Sequence, residues 1–141
     1  MTRAVFDTNV IVSGFLSPNG APGRIVEWLR NGTLTAVLDD RIAAEYGEVL
    51  ARPMFDLPER EVRIVLEAIR GRAEWVEVGA KDLARGLPDP DDAPFLECAR
   101  AAGVPVVTGN ARHYPRAPAR DVAVLTPAQF IAALKAESSG R

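Results

Sequence analysis

Five short apolar runs alternate with amphipathic helical patterns along this chain of 141 residues, and no other feature constrains its fold as much. Strands are predicted at residues 4–6, 34–38, 75–78, 104–108 and 122–125. Strands separated by helices are typical of βαβ units, in which neighbouring strands run parallel. The sequence therefore predicts an α/β fold built on a five-stranded parallel sheet.

Proline, glycine and capping residues mark where the intervening helices begin and end. Helices are predicted over residues 22–31, 40–52 and 58–71, and another from residue 127 onward, after a capping box formed by Thr126 and Gln129. Residues 1–136 are expected to form one domain, and the polar residues 137–141 are expected to be a frayed tail.

Composition excludes several classes of protein. The one cysteine, Cys98, provides neither a disulfide framework nor a zinc site, and it is predicted to be a small core residue. No apolar run is long enough to span a bilayer and no leader is recognisable, so a cytoplasmic location is expected. The net charge of -2 does not indicate nucleic-acid binding, and the many arginines are scattered along the chain.

Polar residues at the ends of two predicted strands indicate a functional site. Asp7 ends the first strand, with Asn9 close behind, and Thr108 and Asn110 follow the fourth strand. Open parallel sheets bind ligands beyond the carboxyl ends of their strands, so these residues are expected at one edge. His113, the only histidine, is expected on the same rim, in a structural or substrate contact rather than as a general base.

Two further acids are candidates for the same edge. Glu45 lies about 40° around its helix from Val49, on the border of the predicted apolar stripe. A glutamate there either meets a cation or stays solvated beside Arg41 or Arg52. Asp92 either heads the core-facing stripe of the helix that follows it or serves only as the N-cap of that helix. Spacing alone leaves both alternatives open.

Taken in order, these residues resemble the pattern of PIN-domain ribonucleases of the VapC-like type, the toxin components of toxin–antitoxin pairs. The shared pieces are Asp7-Thr8-Asn9, Glu45, Asp92 with its helix, and Thr108-Gly109-Asn110. They cover nearly the whole chain. The resemblance implies a three-layer α/β/α sandwich with a five-stranded parallel sheet, a Mg²⁺ or Mn²⁺ cofactor, and endonucleolytic cleavage of single-stranded RNA.

The resemblance also implies roles for the site residues. Asp7 and Asp92 are expected to be the principal metal ligands, and Glu45 a further ligand or a water-orienting base. Asn9 and Thr108 are expected to hold Asp7 in place. Hydrolysis by a metal-activated water is expected to leave 5'-phosphate and 3'-hydroxyl ends, because that chemistry suits hard oxygen ligands around a divalent cation.

One departure from the family pattern follows the fourth strand. The family commonly has a fourth acid there, whereas the candidates in this chain are Asn110 and His113. With fewer negative charges a second ion binds more weakly, so one metal ion is expected. The missing acid also leaves open a catalytically weakened module that binds RNA or protein on the same fold.

Two other enzyme and signalling classes fit the sequence less well. A haloacid-dehalogenase-type phosphatase has a second aspartate two residues after the first, where this chain has Asn9. A receiver domain has a lysine after its fifth strand, where this chain has Thr126 and Pro127.

Expected partners follow from the resemblance. A cognate antitoxin is expected to cover the acidic edge, with an arginine against Asp7 and Asp92. A homodimer is also expected, with Trp28 and Phe55 as exposed apolar positions that could serve it. No membrane partner is expected.

Overall fold

A five-stranded parallel sheet runs through residues 2–139, which are the residues that the computed structural model describes. The strands are β1 (Arg3–Phe6), β2 (Thr35–Leu38), β3 (Glu74–Trp75), β4 (Val106–Val107) and β5 (Val124–Leu125). They lie in the order β3-β2-β1-β4-β5, and all four neighbouring pairs are parallel. The predicted fold class is confirmed, although β3, β4 and β5 are each shorter than the sequence pattern predicted.

The strand order places a switch point in the middle of the sheet. From β1 the chain passes to β2 and β3 on one side, and it later returns to β4 and β5 on the other. Phe6 at the end of β1 pairs with Val107 at the end of β4. Connections that diverge from two adjacent strands leave a crevice beyond their carboxyl ends, where α/β proteins bind ligands. The residues that follow Phe6 and Val107 therefore border this crevice.

Helices cover the sheet and complete a three-layer α/β/α sandwich. Within residues 2–139 they are α1 (Thr8–Leu16), α2 (Ala21–Asn31), α3 (Asp40–Leu50), α4 (Glu59–Arg72), α5 (Ala93–Ala102), α6 (Arg116–Ala119) and α7 (Pro127–Ser139). Helix α5 packs on β1, β2 and β4, whereas α2 packs against α1, α4 and α7. None of the described helices has both the length and the apolar character needed to cross a bilayer.

Most helix limits lie within two residues of those predicted, and α7 includes the first three residues of the predicted tail. Residues 140 and 141 of that tail lie outside the described residues. Helix α1 was not predicted, because its residues are apolar on nearly every side and rich in valine and isoleucine, and so show no helical stripe. Its packing against α2 and α3 explains this composition, since five of its nine residues are buried.

Helix α2 packs so closely on α1 and on the connection between the two helices that glycine is required at two positions. A Cβ atom on Gly14 would lie 2.3 Å from Cγ2 of Val26, and one on Gly23 would lie 2.0 Å from the carbonyl oxygen of Pro18. Both distances are far inside van der Waals contact, so a larger residue would push α1 from α2 at position 14 and would displace the connecting segment at position 23. This packing fixes the position of α1, whose first residues belong to the crevice.

The core supports the strand that ends at the crevice. Ala4, Val5 and Phe6 are completely buried, as expected for the central strand of a sheet covered on both faces. The ring of Phe6 meets Phe130 edge to face at 5.7 Å, and its carbonyl oxygen accepts a hydrogen bond from the Tyr46 hydroxyl. β1 therefore has little freedom to move.

The structure confirms the prediction for one of the three apolar residues considered in the sequence analysis and contradicts it for the other two. Cys98 is completely buried, which confirms its prediction as a core residue. Trp28 and Phe55 were expected to be exposed, but both are partly buried and pack against the core, so that expectation was wrong. Trp28 is also covered by the guanidinium group of Arg24, 5.2 Å from its ring centre.

Candidate active site

Asp7 is the centre of the candidate site, directly after β1. Its side chain is held by the loop that follows β4, because Oδ2 accepts hydrogen bonds from the Thr108 hydroxyl at 3.0 Å and the Tyr114 hydroxyl at 2.9 Å. Oδ1 has only a long contact, 3.3 Å, with the backbone N–H of Asn9, which makes Asp7 the N-cap of α1. With 5% of its surface exposed, the carboxylate is fixed in one orientation.

Thr108 and Asn9 connect the start of α1 to the end of β4. The Thr108 hydroxyl donates to Asp7 and accepts from Nδ2 of Asn9 at 3.4 Å and from the backbone N–H of Asn110 at 3.1 Å. Oδ1 of Asn9 accepts from the backbone N–H of Gly109 at 2.9 Å. Every hydrogen-bonding position of the hydroxyl is thus used. The two residues lie where the sequence placed them, beside Asp7.

Glu45 faces the same crevice from α3. Its Oε2 accepts a hydrogen bond from the hydroxyl of Thr8, the residue after Asp7. Burial raises the pKa of the Glu45 carboxyl, and the hydrogen bond from Thr8 opposes that rise, while the charges of Asp7 and Asp91 add to it. Glu45 is therefore a partly buried carboxyl with an unusually high affinity for a proton, close enough to Asp7 to sense its charge.

The arginines near Glu45 are paired with other acids. Arg41 binds Glu97 at 2.8 Å, and Arg52 binds Glu48 at 2.8 Å. The sequence left open that Glu45 is a solvated residue in an ion pair with one of these arginines, and that alternative is wrong. Glu45 thus forms no ion pair within residues 2–139, and only the more distant charge of Arg52 favours its ionised form.

Asp92 lies on the other side of the crevice, at the end of a 3-10 turn (Pro90–Asp92) that leads into α5. Its side chain makes no capping hydrogen bond, and Oδ2 lies 3.0 Å from Nδ1 of His113. The side chain of Asp92 therefore does not cap the helix, and the alternative in which Asp92 serves only as an N-cap is wrong. Asp89, not Asp92, caps the turn by accepting from the backbone N–H of Asp91 at 2.9 Å.

Burial and neighbouring charges shift the proton affinity of Asp92. Burial raises its pKa most, the charges of Asp7 and Asp89 raise it further, and His113 opposes the rise, so that the pKa is about 6. The charge of Asp7 thus acts on both Asp92 and Glu45. Glu45 and Asp92 therefore each lie within electrostatic reach of Asp7, at one end of the sheet.

The remaining candidates, Asn110 and His113, lie in the loop after β4. The imidazole of His113 is 40% exposed, and its contact with Asp92 leaves Nε2 without a partner among residues 2–139. The side chain of Asn110 is partly exposed and likewise has no hydrogen-bond partner in the described part of the chain. Both side chains can therefore form hydrogen bonds with a ligand that enters the crevice.

The donor set matches a hard divalent cation in chemistry, although it is not grouped as a finished metal site. Within residues 2–139, no three His, Cys, Asp or Glu side chains are gathered as a metal-binding cluster. No arginine or lysine of that range forms an ion pair with Asp7, Glu45 or Asp92. Carboxylate oxygens are the ligands that Mg²⁺ prefers, and a cation would offset their repulsion. Glu45 and Asp92 would have to turn from their present partners towards the ion.

Sequence reasoning missed two residues that contact these acids. Thr8 holds Glu45, and Tyr114, which is 4% exposed, holds Asp7. Burial, followed by the charges of Asp7 and Asp92, raises the pKa of Tyr114 far above its usual value, so its hydroxyl remains a neutral donor. The only signal for Tyr114 was its position directly after His113 in a loop already expected on the rim. An aromatic residue there is ordinarily read as core.

The raised pKa of Asp92 predicts a pH-dependent stability. Because the pKa of about 6 exceeds the ordinary 3.8, the folded protein binds this proton more tightly than the unfolded chain, and stability falls as pH rises from about 4 to 6. Asp92→Asn removes the penalty, so we expect the free energy of unfolding to rise by on the order of 1 kcal/mol at about pH 7.5 and little near pH 4. Urea unfolding without divalent ions measures both values.

Asp56→Asn is the matched control for this comparison, since Asp56 is exposed and has a left-handed backbone that asparagine tolerates. It should show no such pH dependence. An equal gain for Asp92→Asn at both pH values would contradict the assignment.

Comparison with known proteins identifies the family to which this architecture belongs. A model of the PIN domain family matches residues 3–112. No protein with a curated description matches the chain. A similar fold occurs in the crystal structure of VapBC2 from Rickettsia felis bound to a DNA fragment from their promoter, with 16% sequence identity, a TM-score of 0.55, and coverage of 88% of this chain and 98% of that one. The family match spans most of the sequence, including Asp7, Glu45 and Asp92, and the chain therefore belongs to the PIN domain family.

Proposed function

We propose that this protein is a metal-dependent endoribonuclease that hydrolyses RNA phosphodiester bonds, and that it is the toxin of a toxin–antitoxin pair. The observation that carries the proposal is the buried carboxylate of Asp7, whose charge acts on Glu45 and Asp92, with no arginine or lysine of residues 2–139 in an ion pair with any of the three. PIN domains are generally nucleases and typically use a divalent metal ion. Hydrolysis is the reaction that such a site best supports.

Three carboxylates would hold one Mg²⁺ or Mn²⁺ ion. Asp7 and Asp92 are proposed as its principal ligands, and Glu45 as a further ligand or a base. Thr108 and Tyr114 occupy Oδ2 of Asp7, which leaves Oδ1 the freer oxygen for coordination. A bound divalent cation lowers the pKa of a coordinated water and offsets negative charge on the phosphodiester.

The residues of the chain supply the proton transfers. Glu45 is suited to accept a proton from the attacking water, because burial raises its pKa towards neutral pH. With Asp92 turned towards the ion, the imidazole of His113 would be released from its contact with Asp92, and its protonated form would donate to a phosphate oxygen. Asn110 can offer its amide to the same phosphate or to a water. The products would carry 5'-phosphate and 3'-hydroxyl ends.

The similarity of the fold to a solved structure and the negative charge of the crevice both support an antitoxin partner. The solved structure with a similar fold is of VapBC2 bound to a DNA fragment from their promoter. An acidic crevice without its own cation can also be neutralised by an arginine from a partner protein placed against Asp7 and Asp92. A cytoplasmic homodimer remains part of the proposal on resemblance alone.

A catalytically weakened binding module on the same fold is the second candidate. It is favoured by Asn110, which stands where the family commonly has a fourth acid, and by the lack of a finished metal cluster in residues 2–139. A haloacid-dehalogenase-type phosphatase is less well supported, because Asn9 is bound to Thr108 and Gly109 and provides no second acid.

Incubation with a mixed RNA pool separates these functions. We expect cleavage with Mg²⁺ and with Mn²⁺, none with EDTA, and products that carry a 5'-phosphate. A binding module would leave the RNA intact under every condition. Products with 2',3'-cyclic phosphate ends would show attack by the ribose hydroxyl and would overturn the hydrolytic mechanism.

Loss of the Tyr114 hydroxyl tests how Asp7 is held. Tyr114→Phe keeps the buried ring but removes one of the two hydroxyl donors to Oδ2 of Asp7. Residues that orient a metal ligand typically change metal affinity or activity by 10- to 100-fold, so we expect roughly tenfold slower cleavage and a higher Mg²⁺ requirement. Rates measured across a Mg²⁺ titration give both quantities.

Tyr46→Phe provides the matched comparison, because the Tyr46 hydroxyl donates to the carbonyl oxygen of Phe6 and touches no acid of the site. It should lower the free energy of unfolding by about 1 kcal/mol and leave the Mg²⁺ requirement unchanged. The same Mg²⁺ requirement in Tyr114→Phe and the wild type would remove Tyr114 from the site.

A further inference from the structure

Positive charge is concentrated in one stretch of the chain. Residues 98–120 contain four arginines and neither aspartate nor glutamate, although the chain as a whole carries a net charge of -2. The four are Arg100, Arg112, Arg116 and Arg120. Elsewhere in the chain, acids are interspersed with the arginines.

The fold brings this stretch to the acidic crevice. The loop between β4 and β5 contributes His113, 3.0 Å from Asp92, and Tyr114, 2.9 Å from Asp7. Arg112 precedes this pair of contacts, and Arg116 begins α6 directly after them. A basic loop therefore starts at the rim of the site and runs away from it.

Arg100 ties the far end of this loop to the segment before α5. Its side chain is 7% exposed and donates to the carbonyl oxygens of Asp82 at 3.1 Å, Leu83 at 3.2 Å and Pro118 at 2.9 Å. It also binds Asp121 at 3.1 Å. The guanidinium group thus holds two loops side by side.

A cavity of about 450 Å³ lies between these loops and is lined by Arg85, Arg100 and Arg120 together with Gly86 and Pro118. Arg120 has a φ of +38°, a backbone conformation that arginine rarely adopts. Such strain persists only where the surrounding structure enforces it, and it is common at binding sites. The strained backbone places Arg120 at the wall of the cavity.

Two arginines that line this cavity, Arg85 and Arg120, and two on the segment that leads from the crevice to it, Arg112 and Arg116, can bind an anion. Arg85, Arg112, Arg116 and Arg120 are exposed and form no ion pair within residues 2–139, unlike the exposed Arg3, Arg30 and Arg52, which each bind a glutamate. Two acids lie close by. Asp121 forms its ion pair with Arg100 and feels the charge of Arg120 only more weakly, and Asp82 accepts from the backbone N–H of Gly79, so neither forms an ion pair with these four arginines.

We propose that Arg85, Arg112, Arg116 and Arg120 form a track that binds the phosphates of single-stranded RNA beside the cleavage site, an inference that rests on the nuclease function proposed above. The acidic crevice repels a polyanion, so affinity for RNA must come from cations elsewhere. Asp92 and Arg100 are separated by about 12 Å along α5. That length spans roughly two to four nucleotides at about 3.4 Å each, so one strand can reach both the track and the crevice.

Charge-removing variants test the track. Arg85→Gln, Arg112→Gln and Arg116→Gln are combined, and Arg120 is left in place because its backbone is strained. The matched control combines Arg60→Gln, Arg63→Gln and Arg70→Gln, which removes equal charge from exposed positions of α4 that form no ion pair in the described chain. Thermal unfolding of both variants checks that they are folded.

Binding of a fluorescently labelled single-stranded RNA is measured by anisotropy in EDTA, over a series of salt concentrations. Each phosphate contact on a single strand contributes about 0.7 to the slope of log Kd against log salt, so the track variant should flatten that slope by about 2. Its Kd at low salt should rise at least tenfold, and that of the control by no more than about threefold. Equal weakening of both variants, or wild-type binding by the track variant, would overturn the proposal.

Cleavage assays distinguish a failure of the proposed arginine track from a failure of the proposed nuclease function. If the wild type binds RNA through the track but cleaves it with neither Mg²⁺ nor Mn²⁺, the track stands and the nuclease function fails. If the wild type cleaves and the track variant has an unchanged KM, the nuclease function stands and the track fails.

Discussion

The Asp7→Asn variant is expected to cleave RNA at least about 10³-fold more slowly than the wild type while keeping its fold, because a neutral amide is a poor ligand for the ion that stabilises the reacting phosphate. The asparagine oxygen can still accept from Thr108 and Tyr114. Its NH₂ group then occupies the position of Oδ1, where the proposed metal ligand lies. Asp7 has the largest expected effect because it lies at the centre of the charge cluster.

Initial rates with saturating Mg²⁺ measure this loss, and thermal unfolding shows whether the fold is kept. Asp56→Asn serves as the control, since it makes the same chemical change at an exposed residue away from the crevice. It should cleave at the wild-type rate. Wild-type cleavage by a folded Asp7→Asn protein would remove Asp7 from the mechanism.

Glu45→Gln is expected to slow cleavage by about 10²- to 10⁴-fold, the usual range for loss of a general base. Glutamine has nearly the same shape and can accept the hydrogen bond from Thr8 that Glu45 accepts now. Burial and the charge of Asp7 both disfavour the ionised form of Glu45, so its removal should leave the free energy of unfolding unchanged or slightly higher. A large loss of activity without loss of stability would mark a functional carboxylate.

Glu48→Gln is the matched control on the same helix. Glu48 lies one turn further along α3, is exposed and binds Arg52, so its replacement changes the charge of α3 without touching the crevice. Its cleavage rate should stay within about twofold of the wild type, since exposed ion pairs contribute little. Equal rates for the two variants would contradict a catalytic role for Glu45.

Much of the fold could be predicted because its signals are local. Short apolar runs become strands, of which β1, β2 and β4 are largely buried. Thr126 and Gln129 form the predicted capping box with reciprocal hydrogen bonds of 3.1 and 2.9 Å. The approach of the Asp7 and Thr108 segments followed from one rule, that parallel strands end at the same edge. Helix α1 could not be predicted, because it is apolar on most sides and so shows no clear stripe.

The partners of the site residues depend on contacts between distant parts of the chain. Tyr114 reaches Asp7 across more than 100 residues, and Thr8 reaches Glu45 across 37. The buried Glu97 is a similar case, since it accepts from Arg41 and from the backbone N–H of Ala84. Spacing identified the carboxylates but could not show which neighbours hold them, because that depends on side-chain packing in three dimensions.

The most direct test of the central claim is the position of Mn²⁺ in crystals of the wild-type protein soaked with the ion, located by anomalous diffraction. One Mn²⁺ per chain is expected, bound by carboxylate oxygens of Asp7 and Asp92, with Glu45 coordinated directly or through a water. A crevice without Mn²⁺ at millimolar concentrations, or an ion held only by other residues, would contradict it.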